Sequence, residues 1–374
     1  MSTNKAYKCF HCGGFGLTKN IRPRGEDIRA YILRNADKDG LAQKVAEHFS
    51  ITRQAAGRHL QKLTDEKALV AVGNTRNRTY KLAATATKTF FYEIKEGLAE
   101  DVVWQNDIRP FLGDLPETVL EMWQWSFTEM FNNAIDHSGG SYIFVRVSKT
   151  AINTEISVAD DGVGIFVKIQ KALNLMDERH AILELSKGKL TTDSRHHSGW
   201  GIFFTSRMVD NFDILSGGVY FSHVIGEEHD WILERSDADS GTAVYLKIDN
   251  HTSRTRKKTL DKFSVGDSYG FDKTIVPVRL AKYGTDQLIS RSQAKRVLAR
   301  IELFTQVLFD FTNVEMVGQA FADQIFRVFQ NEHPEMQLFP THANAEIRAV
   351  INEVRRQDRQ RNGESAMLDA IESV

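Results

Sequence analysis

Residues 25–90 change from a helical to a strand spacing of hydrophobic positions. The stretches EDIRAYILRN, LAQKVAEHFS and TRQAAGRHLQKL place their apolar residues three or four apart, as an amphipathic helix does. Leu41, Val45 and Phe49 form one stripe of the second helix, and Thr52 is the predicted N-cap of the third. The stretch ALVAVGNTRNRTYKLA then predicts two strands around a Gly-Asn turn.

Residues 95–250 combine a polar helix with alternating strands and glycine-rich turns. The stretch EMFNNAIDHS places Glu129 and Asn133 on one helical face, with Asp136 one turn further on. YIFVRVSKTAINTEISVADDGVGI predicts two antiparallel strands and an acidic turn, and HSGWGIF predicts a glycine loop that opens a helix. The helix alone is equally typical of a solvated amphipathic face, but the ordered glycine motifs downstream favour a binding site.

The C-terminal third alternates strands and helices. TIVPVRL, TQVLFDFTNVEMVGQAFADQIFRVF and MQLFPTHANAEIRAVINEV predict strand, strand–turn–helix and strand–helix, which is typical of a parallel α/β unit over residues 262–374. The basic stretch HTSRTRKKTLD, residues 251–261, is predicted to be a solvated hinge in front of it.

Composition excludes several classes of protein. The chain has 374 residues, of which 41% are hydrophobic and 26% charged, so we expect two or three globular domains. A net charge of −1 provides no global attraction for nucleic acid. There is no apolar run of about 20 residues and no signal-peptide core at the start. Two cysteines argue against a disulfide scaffold, so we expect a cytoplasmic protein without membrane contact.

The two cysteines lie in the stretch CFHCGG. Cys9 and Cys12 have the spacing of zinc ligands, but a second pair is missing. His11 or a distant histidine such as His48 would be needed to complete a site. We favour a polar, flexible tail over residues 1–24, with metal binding as the alternative.

The helices and hairpin of residues 25–90 resemble the winged helix-turn-helix of many bacterial regulators. Residues 51–81 contain seven basic and two acidic residues, a local surplus that suits phosphate contact. The predicted DNA-binding side chains lie on the exposed side of the third helix and on the wing: Arg53, Gln54, Arg58, Arg76 and Arg78. A winged helix used only for protein contacts is the alternative.

Four ordered motifs in residues 95–250 carry a second resemblance. EMFNNAIDH, DDGVGI, HSGWGIF and SGTAV match the N box and the three glycine boxes of the GHKL ATP-binding fold. This α/β sandwich is shared by gyrase B, histidine kinases and anti-sigma-factor serine kinases. The resemblance implies that the polar helix faces Mg·ATP. A histidine kinase proper is not expected, because no dimerisation helix pair with a phosphoacceptor histidine precedes the N box.

The GHKL resemblance implies a role for each matched residue. Glu129 is the base that activates water or a hydroxyl, Asn133 is the Mg²⁺ ligand, and Asp160 accepts a hydrogen bond from the adenine amino group. Asn132 remains the alternative metal ligand. Glycines would let the backbone approach the nucleotide and its phosphates, and the Thr242 hydroxyl would support Asp160. The implied ATP-binding set is Asn133, Asp136, Asp160, Gly162, Gly164, Gly199, Gly201 and Thr242.

Residues 166–198 occupy the position of the family's lid over the phosphates. Lys187, Lys189 or His197 would be able to reach the γ-phosphate from there. Solvated lid charges are the simpler interpretation of all three.

The pattern of residues 262–374 resembles the STAS-like fold of anti-sigma-factor antagonists. Those proteins carry a phosphorylatable serine at a helix start, after a buried strand that here ends at Asp310. This chain has Gln319 and Ala320 at that helix start, so we expect no phosphoacceptor there. Coupling to the ATP-binding segment through contacts is predicted instead.

Together the segments predict a multidomain α/β regulator of three modules. The expected function is Mg-dependent ATP binding that controls a DNA-binding transcriptional regulator. Two alternatives remain: a serine protein kinase that acts on a partner protein, and a slow ATPase in which nucleotide drives formation of a homodimer. The expected partners are ATP, DNA and a protein bound through the STAS-like domain.

Overall fold

The computed structural model describes residues 25–74, 78–190, 199–227, 230–265, 270–282 and 287–372. The chain divides into two compact units, Met1–Ala83 and Ala84–Val374. The second and third predicted segments, residues 95–250 and 262–374, both lie in the second of these units. Among the described residues, no helix combines the length and the apolar character needed to cross a membrane.

The first unit contains the predicted series of three helices and two strands. Thr52 accepts a hydrogen bond of 3.1 Å from the backbone N–H of Ala55, which confirms its predicted role as an N-cap. Ile32, Val45 and Leu60, one from each helix, are fully buried and form its small core. The two strands pair antiparallel. The elements are α1 (Gly25–Arg34), α2 (Leu41–Phe49), α3 (Arg53–Asp65), β1 (Leu69–Val72) and β2 (Thr79–Leu82).

Strand β3 (Ala86–Glu93) corrects the predicted boundary between the first two segments. The sequence placed residues up to 90 with the hairpin and began the next segment at 95. In the structure, β3 pairs antiparallel with the strand Tyr142–Lys149 along its whole length. This pairing satisfies the backbone groups of β3 and makes it part of the second unit, so the division lies at residues 83 and 84.

A five-stranded antiparallel sheet, in the order β3–β4–β5–β7–β6, forms one layer of the second unit. Along β4 the residues Ile143, Val145 and Val147 are buried, whereas Tyr142 and Phe144, which alternate with them, are exposed. One face of the sheet is therefore buried and the other is open. The further strands are β4 (Tyr142–Lys149), β5 (Asn153–Asp160), β6 (Asn211–Val224) and β7 (Trp231–Asp249).

Helices pack against the buried face of this sheet. The longest, α6, buries Trp123, Phe127 and Phe131 completely in the shared core. A π-helical turn, Trp104–Ile108, joins the two short helices α4 and α5, which precede α6 in the chain. The helices of this layer are α4 (Glu100–Val103), α5 (Arg109–Leu112), α6 (Glu117–His137), α7 (Ile165–Ala172), α8 (Glu178–Lys187) and α9 (Gly201–Met208). The result is the predicted two-layer α/β sandwich.

Residues 251–261 are not the predicted solvated hinge. Helix α10 (Arg256–Asp261) begins after Thr255, whose side chain accepts a hydrogen bond of 3.2 Å from the backbone N–H of Lys258. It packs against α9 and α6. Phe263, directly after it, is buried and lies 4.9 Å from Phe203 between ring centroids. Arg256, Lys257 and Lys258 are exposed on this docked helix, and a charge count alone does not reveal that the helix is docked.

The C-terminal part forms the predicted parallel α/β unit. Its three strands pair in the order β10–β9–β8, and both pairings are parallel. Two short 3₁₀ turns, Val278–Ala281 and Ile301–Leu303, and a π-helical stretch, Gln324–Phe329, complete the connections. The elements are β8 (Lys273–Pro277), α11 (Arg291–Leu298), β9 (Gln306–Asp310), α12 (Gln319–Asp323), α13 (Gln330–Glu332), β10 (Gln337–Thr341) and α14 (Ala345–Glu372).

Candidate functional site

A cavity of about 340 Å³ lies in the second unit where α6, α7 and α9 meet the end of β5 and the middle of β7. Both polar and apolar side chains line it, which is typical of a small-molecule site. Of the residues predicted from sequence, the cavity brings together Glu129, Asn133, Asp160, Gly199, Gly201 and Thr242. These residues come from four separate stretches of the chain, so the fold assembles the predicted site.

Asp160 ends strand β5 and is held by backbone donors. Its Oδ1 accepts hydrogen bonds from the N–H of Gly162 at 2.9 Å and from the N–H of Thr242 at 3.3 Å. Burial raises the pKa of the Asp160 carboxyl, the two hydrogen bonds oppose that rise, and the neighbouring Asp161 adds to it. A fixed, partly buried carboxylate of this kind is well suited to accept a hydrogen bond from one donor group of a ligand.

The contribution of Thr242 differs from the prediction. We expected its hydroxyl to support Asp160, but the backbone N–H of Thr242 does so. The hydroxyl Oγ1 accepts a hydrogen bond of 2.9 Å from the N–H of Ile165 and lies 3.4 Å from the hydroxyl of Ser216. The Thr242 side chain therefore holds Ile165, the first residue of α7. The contact with Asp160 comes instead from the backbone, because Thr242 and Asp160 are partners in the pairing of β7 with β5.

Gly162 and Gly164 do not line the cavity. From the sequence we expected these glycines to let the backbone approach the nucleotide closely. In the structure, Gly162 instead packs closely against Ser138. A Cβ on Gly162 would collide with the carbonyl group of Ser138, at the end of α6. The N–H of Val163 donates to that same carbonyl at 2.9 Å. The first glycine motif is thus tied to the end of α6, and glycine is needed at 162 for this contact.

Asp161 has a different role from Asp160, although the two are adjacent. Its Oδ1 accepts hydrogen bonds from the N–H groups of Ser141 at 2.7 Å and Tyr142 at 2.9 Å, and these bonds lower the pKa of the exposed Asp161 carboxyl. Asp161 therefore braces the start of β4, and Asp160 faces the cavity.

Glu129 is the carboxylate on the opposite wall. Burial raises the pKa of Glu129, and the negative charge of Glu100 raises it further. Gly201, the first residue of α9, lies so close that a Cβ there would collide with the Glu129 carboxylate. Glycine at 201 lets the start of α9 lie against the Glu129 carboxylate, which any larger residue there would displace. A raised pKa brings a carboxylate closer to the range in which a general base works best.

Asn132 and Asn133 both line the cavity, whereas Asp136 does not. At this end of α6 the cavity follows the stripe Met130, Ala134 and His137, so Asp136 is exposed. The predicted place of Asp136 among the nucleotide ligands therefore has no support from this geometry.

The oxygen atoms that line the cavity suit Mg²⁺ only if the ion is bound together with phosphates. Among the described residues, no group of three or more His, Cys, Asp or Glu side chains could hold a metal ion. Magnesium bound together with phosphates needs only one or two protein oxygens, and the amide oxygens of Asn132 and Asn133 meet that requirement.

Lys168 is a cavity residue that sequence reasoning missed. Its Nζ donates a hydrogen bond of 2.6 Å to the carbonyl of His137, at the end of α6. No motif contains it, and its position on α7, four residues after Gly164, would have been the sole signal. It brings a positive charge to a cavity whose lining also contains the carboxyl groups of Glu129 and Asp160.

Lys187 is neither of the two things considered from the sequence, a phosphate contact or a solvated lid charge, and Lys189 makes no phosphate contact in this structure either. The ammonium group of Lys187 is buried against the C-terminal part of the chain, where it donates to the carbonyls of Arg296 and Ala299. Lys189 donates to the carbonyl of Leu303 at 2.7 Å. His197 lies outside the described residues.

The predicted DNA-binding side chains of the first unit are accessible where they are described. Arg53, Gln54 and Arg58 are exposed on α3, and Arg78 is exposed just before β2. Arg76 lies outside the described residues, as do Cys9, His11 and Cys12 of the suggested metal site.

Two parts of the chain match known domain families. Residues 110–219 match the model of the histidine kinase-like ATPase domain, and residues 293–348 match that of the STAS-like domain of unknown function (DUF4325). The chain contains a histidine kinase-like ATPase domain and a STAS-like domain. Two of the three predicted resemblances, those to the GHKL fold and to the STAS-like fold, are confirmed at this level. Neither match includes residues 25–83, and no curated protein sequence matches the chain.

Proposed function

We propose that the chain is an ATP-binding regulator whose nucleotide site is the cavity described above. The observation that carries this proposal is Asp160, a carboxylate fixed by two backbone donors inside a 340 Å³ cavity of a histidine kinase-like ATPase domain. Asp160 would accept the hydrogen bond of the adenine amino group through its second oxygen. A hydrogen-bonded site of this kind rejects ligands that lack the matching donor.

Each other role follows from the chemistry of the lining side chains. Asn133, or Asn132 in its place, would hold Mg²⁺, which neutralises phosphate charge when bound. The backbone N–H groups at Gly199 and Gly201 would bind phosphate oxygens, and Lys168 would add a positive charge. Glu129 would orient and deprotonate the attacking water or hydroxyl.

We further propose that the first unit is a winged helix-turn-helix that binds DNA under control of the nucleotide. The order of three helices and a hairpin supports this, together with the exposed Arg53, Gln54, Arg58 and Arg78. The local basic surplus supplies the attraction for phosphates that the nearly neutral whole chain lacks.

Two alternatives are separated by the fate of the γ-phosphate. The presence of Glu129 in the cavity favours turnover over mere sensing. A serine protein kinase would leave phosphate on a partner protein, whereas a slow ATPase clamp would release free phosphate and form dimers that depend on ATP.

The decisive experiment is a titration of the full chain with ATP, with and without Mg²⁺, followed by a measurement of phosphate release. We expect binding that Mg²⁺ strengthens. Failure of the chain to bind ATP under both conditions would refute the proposal. Binding with neither free phosphate nor phosphate on a partner protein would make the domain a nucleotide sensor.

A further inference from the structure

Helix α8 borders two different parts of the second unit. Leu185 on α8 and Leu190 shortly after it line the cavity. Other side chains of the same segment point into the STAS-like domain, and the whole run from His180 to Gly188 is buried. A shift of α8 would therefore change the cavity wall and the STAS-like contacts together.

The contact with the STAS-like domain is centred on Lys187, whose side chain has 0% exposure. Its ammonium group donates to Glu184 Oε1 at 2.7 Å, to the carbonyl of Arg296 at 3.0 Å and to the carbonyl of Ala299 at 2.8 Å. These carbonyls lie at the C-terminal end of α11, where a helix leaves its last acceptors without internal partners. All three donors of the lysine are used, and a lysine of the ATPase domain caps a helix of the STAS-like domain.

Arg300 and Thr274 of the STAS-like domain complete this arrangement from the other side. Arg300 donates to Glu184 Oε2 at 3.0 Å and also to the carbonyl of Lys189. The Thr274 hydroxyl, fully buried on β8, donates to the carbonyl of Lys187 at 2.6 Å. We call this set of Glu184, Lys187, Thr274 and Arg300, with the two carbonyls of α11, the Lys187 junction.

The Lys187 junction allows one relative position of α8 and α11. Burial lowers the pKa of Lys187, and the charge of Glu184 opposes that shift. A displacement of α8 along α11 would leave a buried ammonium group without its acceptors, which is strongly unfavourable. The two helices must therefore move together or the junction must break.

On the basis of the proposed nucleotide site, we propose that the Lys187 junction couples nucleotide occupancy to the state of the STAS-like domain. Helix α8 is the element that the two sites share. None of its members is assigned to a nucleotide contact, so the coupling acts through the position of Leu185 and Leu190. Such coupling is reciprocal: what the STAS-like domain does to nucleotide affinity, the nucleotide does to the STAS-like domain.

The test compares binding of a non-hydrolysable ATP analogue with Mg²⁺ by the full chain and its variants. Thr274→Val removes one hydrogen bond with little change of shape, and Arg300→Ala removes the partner of Glu184 Oε2 but leaves Lys187 on Oε1. We expect each to weaken binding at least about fivefold, the lower end of typical coupling between sites. Lys295→Met is the matched control, because Lys295 is an exposed lysine on α11 and its loss should leave affinity unchanged.

Backbone amide exchange supplies a second measurement that a purely structural role would not move. The analogue should slow exchange in α11 of the unmodified chain, and Arg300→Ala should abolish this protection. Folded variants with unchanged affinity, or a nucleotide-bound chain with unchanged exchange in α11, would overturn the coupling. Failure of the unmodified chain to bind the analogue would overturn the nucleotide site itself, and the coupling with it.

Discussion

The backbone N–H of Thr242 donates a hydrogen bond of 3.3 Å to Oδ1 of Asp160 across the pair of strands β5 and β7. The two residues are direct partners in the strand register, so the sheet itself aims the carboxylate into the cavity. The N–H of Gly162 reaches the same oxygen. The second oxygen, Oδ2, is the one we assign to the adenine amino group.

Asp160→Asn should nearly abolish ATP binding. The amide places an N–H donor where the adenine amino group also donates, and such a mismatch in a buried site costs about 3 kcal/mol, or about a hundredfold in affinity. Calorimetric titration measures the loss. Asp161→Asn is the matched control, since Asp161 faces the start of β4. Asparagine at 160 with full affinity would refute the adenine assignment.

Glu129→Ala should bind Mg·ATP but lose hydrolysis or phosphoryl transfer. Removal of a positioned general base lowers the rate by roughly 10²–10⁴-fold. Phosphate release at saturating ATP measures the effect. Glu121→Ala, an exposed glutamate on the same helix, should behave as the unmodified chain does. If Glu129→Ala released phosphate at the unmodified rate, another residue would have to be the base.

Glu100→Gln should move the pH profile of phosphate release. Burial and the charge of Glu100 raise the pKa of Glu129 above its ordinary value of 4.5. Activity needs the deprotonated base, so it falls as the pH drops through that raised pKa. Without the Glu100 charge, the pKa of Glu129 falls part of the way back, and the acid limb should shift to lower pH. An unmoved limb would mean that Glu129 does not control it.

Arg53→Ala combined with Arg58→Ala should weaken DNA binding by the full chain and reduce its salt dependence. Each phosphate contact that is lost lowers the slope of log affinity against log salt by about 0.9 on duplex DNA. Binding measured at several salt concentrations gives the slope. Arg34→Ala, an exposed arginine on α1, serves as the control. An unmodified chain that ignores DNA at low salt would favour the protein-contact alternative.

Incubation with Mg·ATP should leave residues 262–374 unphosphorylated. Gly318 caps α12 and the helix begins at Gln319 and Ala320, neither of which can accept a phosphoryl group. The hydroxyl of Thr312 donates to Asp310 at 2.7 Å in the loop after β9, away from that helix start. Intact-mass spectrometry tests this. One phosphate per chain within residues 290–330 would revive the serine-kinase alternative.

Local signals in the sequence predicted much of the fold and of the site. Thr52 caps α3 because a threonine before a helical pattern has a nearby orphan N–H to accept from. Glu129 and Asn133 share a face because of helical spacing, and the cavity contains both. Such features depend on residues close in the chain, which a pattern can reveal.

Features that depend on distant partners escaped prediction. The residues of β3 follow the hairpin in sequence, but their partner strand begins at Tyr142, about fifty residues later. The hydroxyl of Thr242 finds its partner at Ile165, and the ammonium group of Lys187 finds its acceptors at Arg296 and Ala299. No periodicity or charge count in one segment contains the identity of a partner in another.

The aromatic cluster around α10 limits how this chain can be rearranged in evolution. Phe203 and Phe204 of the ATPase domain lie 4.4 and 4.8 Å, between ring centroids, from Phe271, and Phe263 packs against both. A gene fusion that replaced everything after residue 262 would uncover this apolar surface and favour aggregation. Replacement of the STAS-like part alone is therefore disfavoured, whereas a division at residues 83 and 84 leaves the cluster intact.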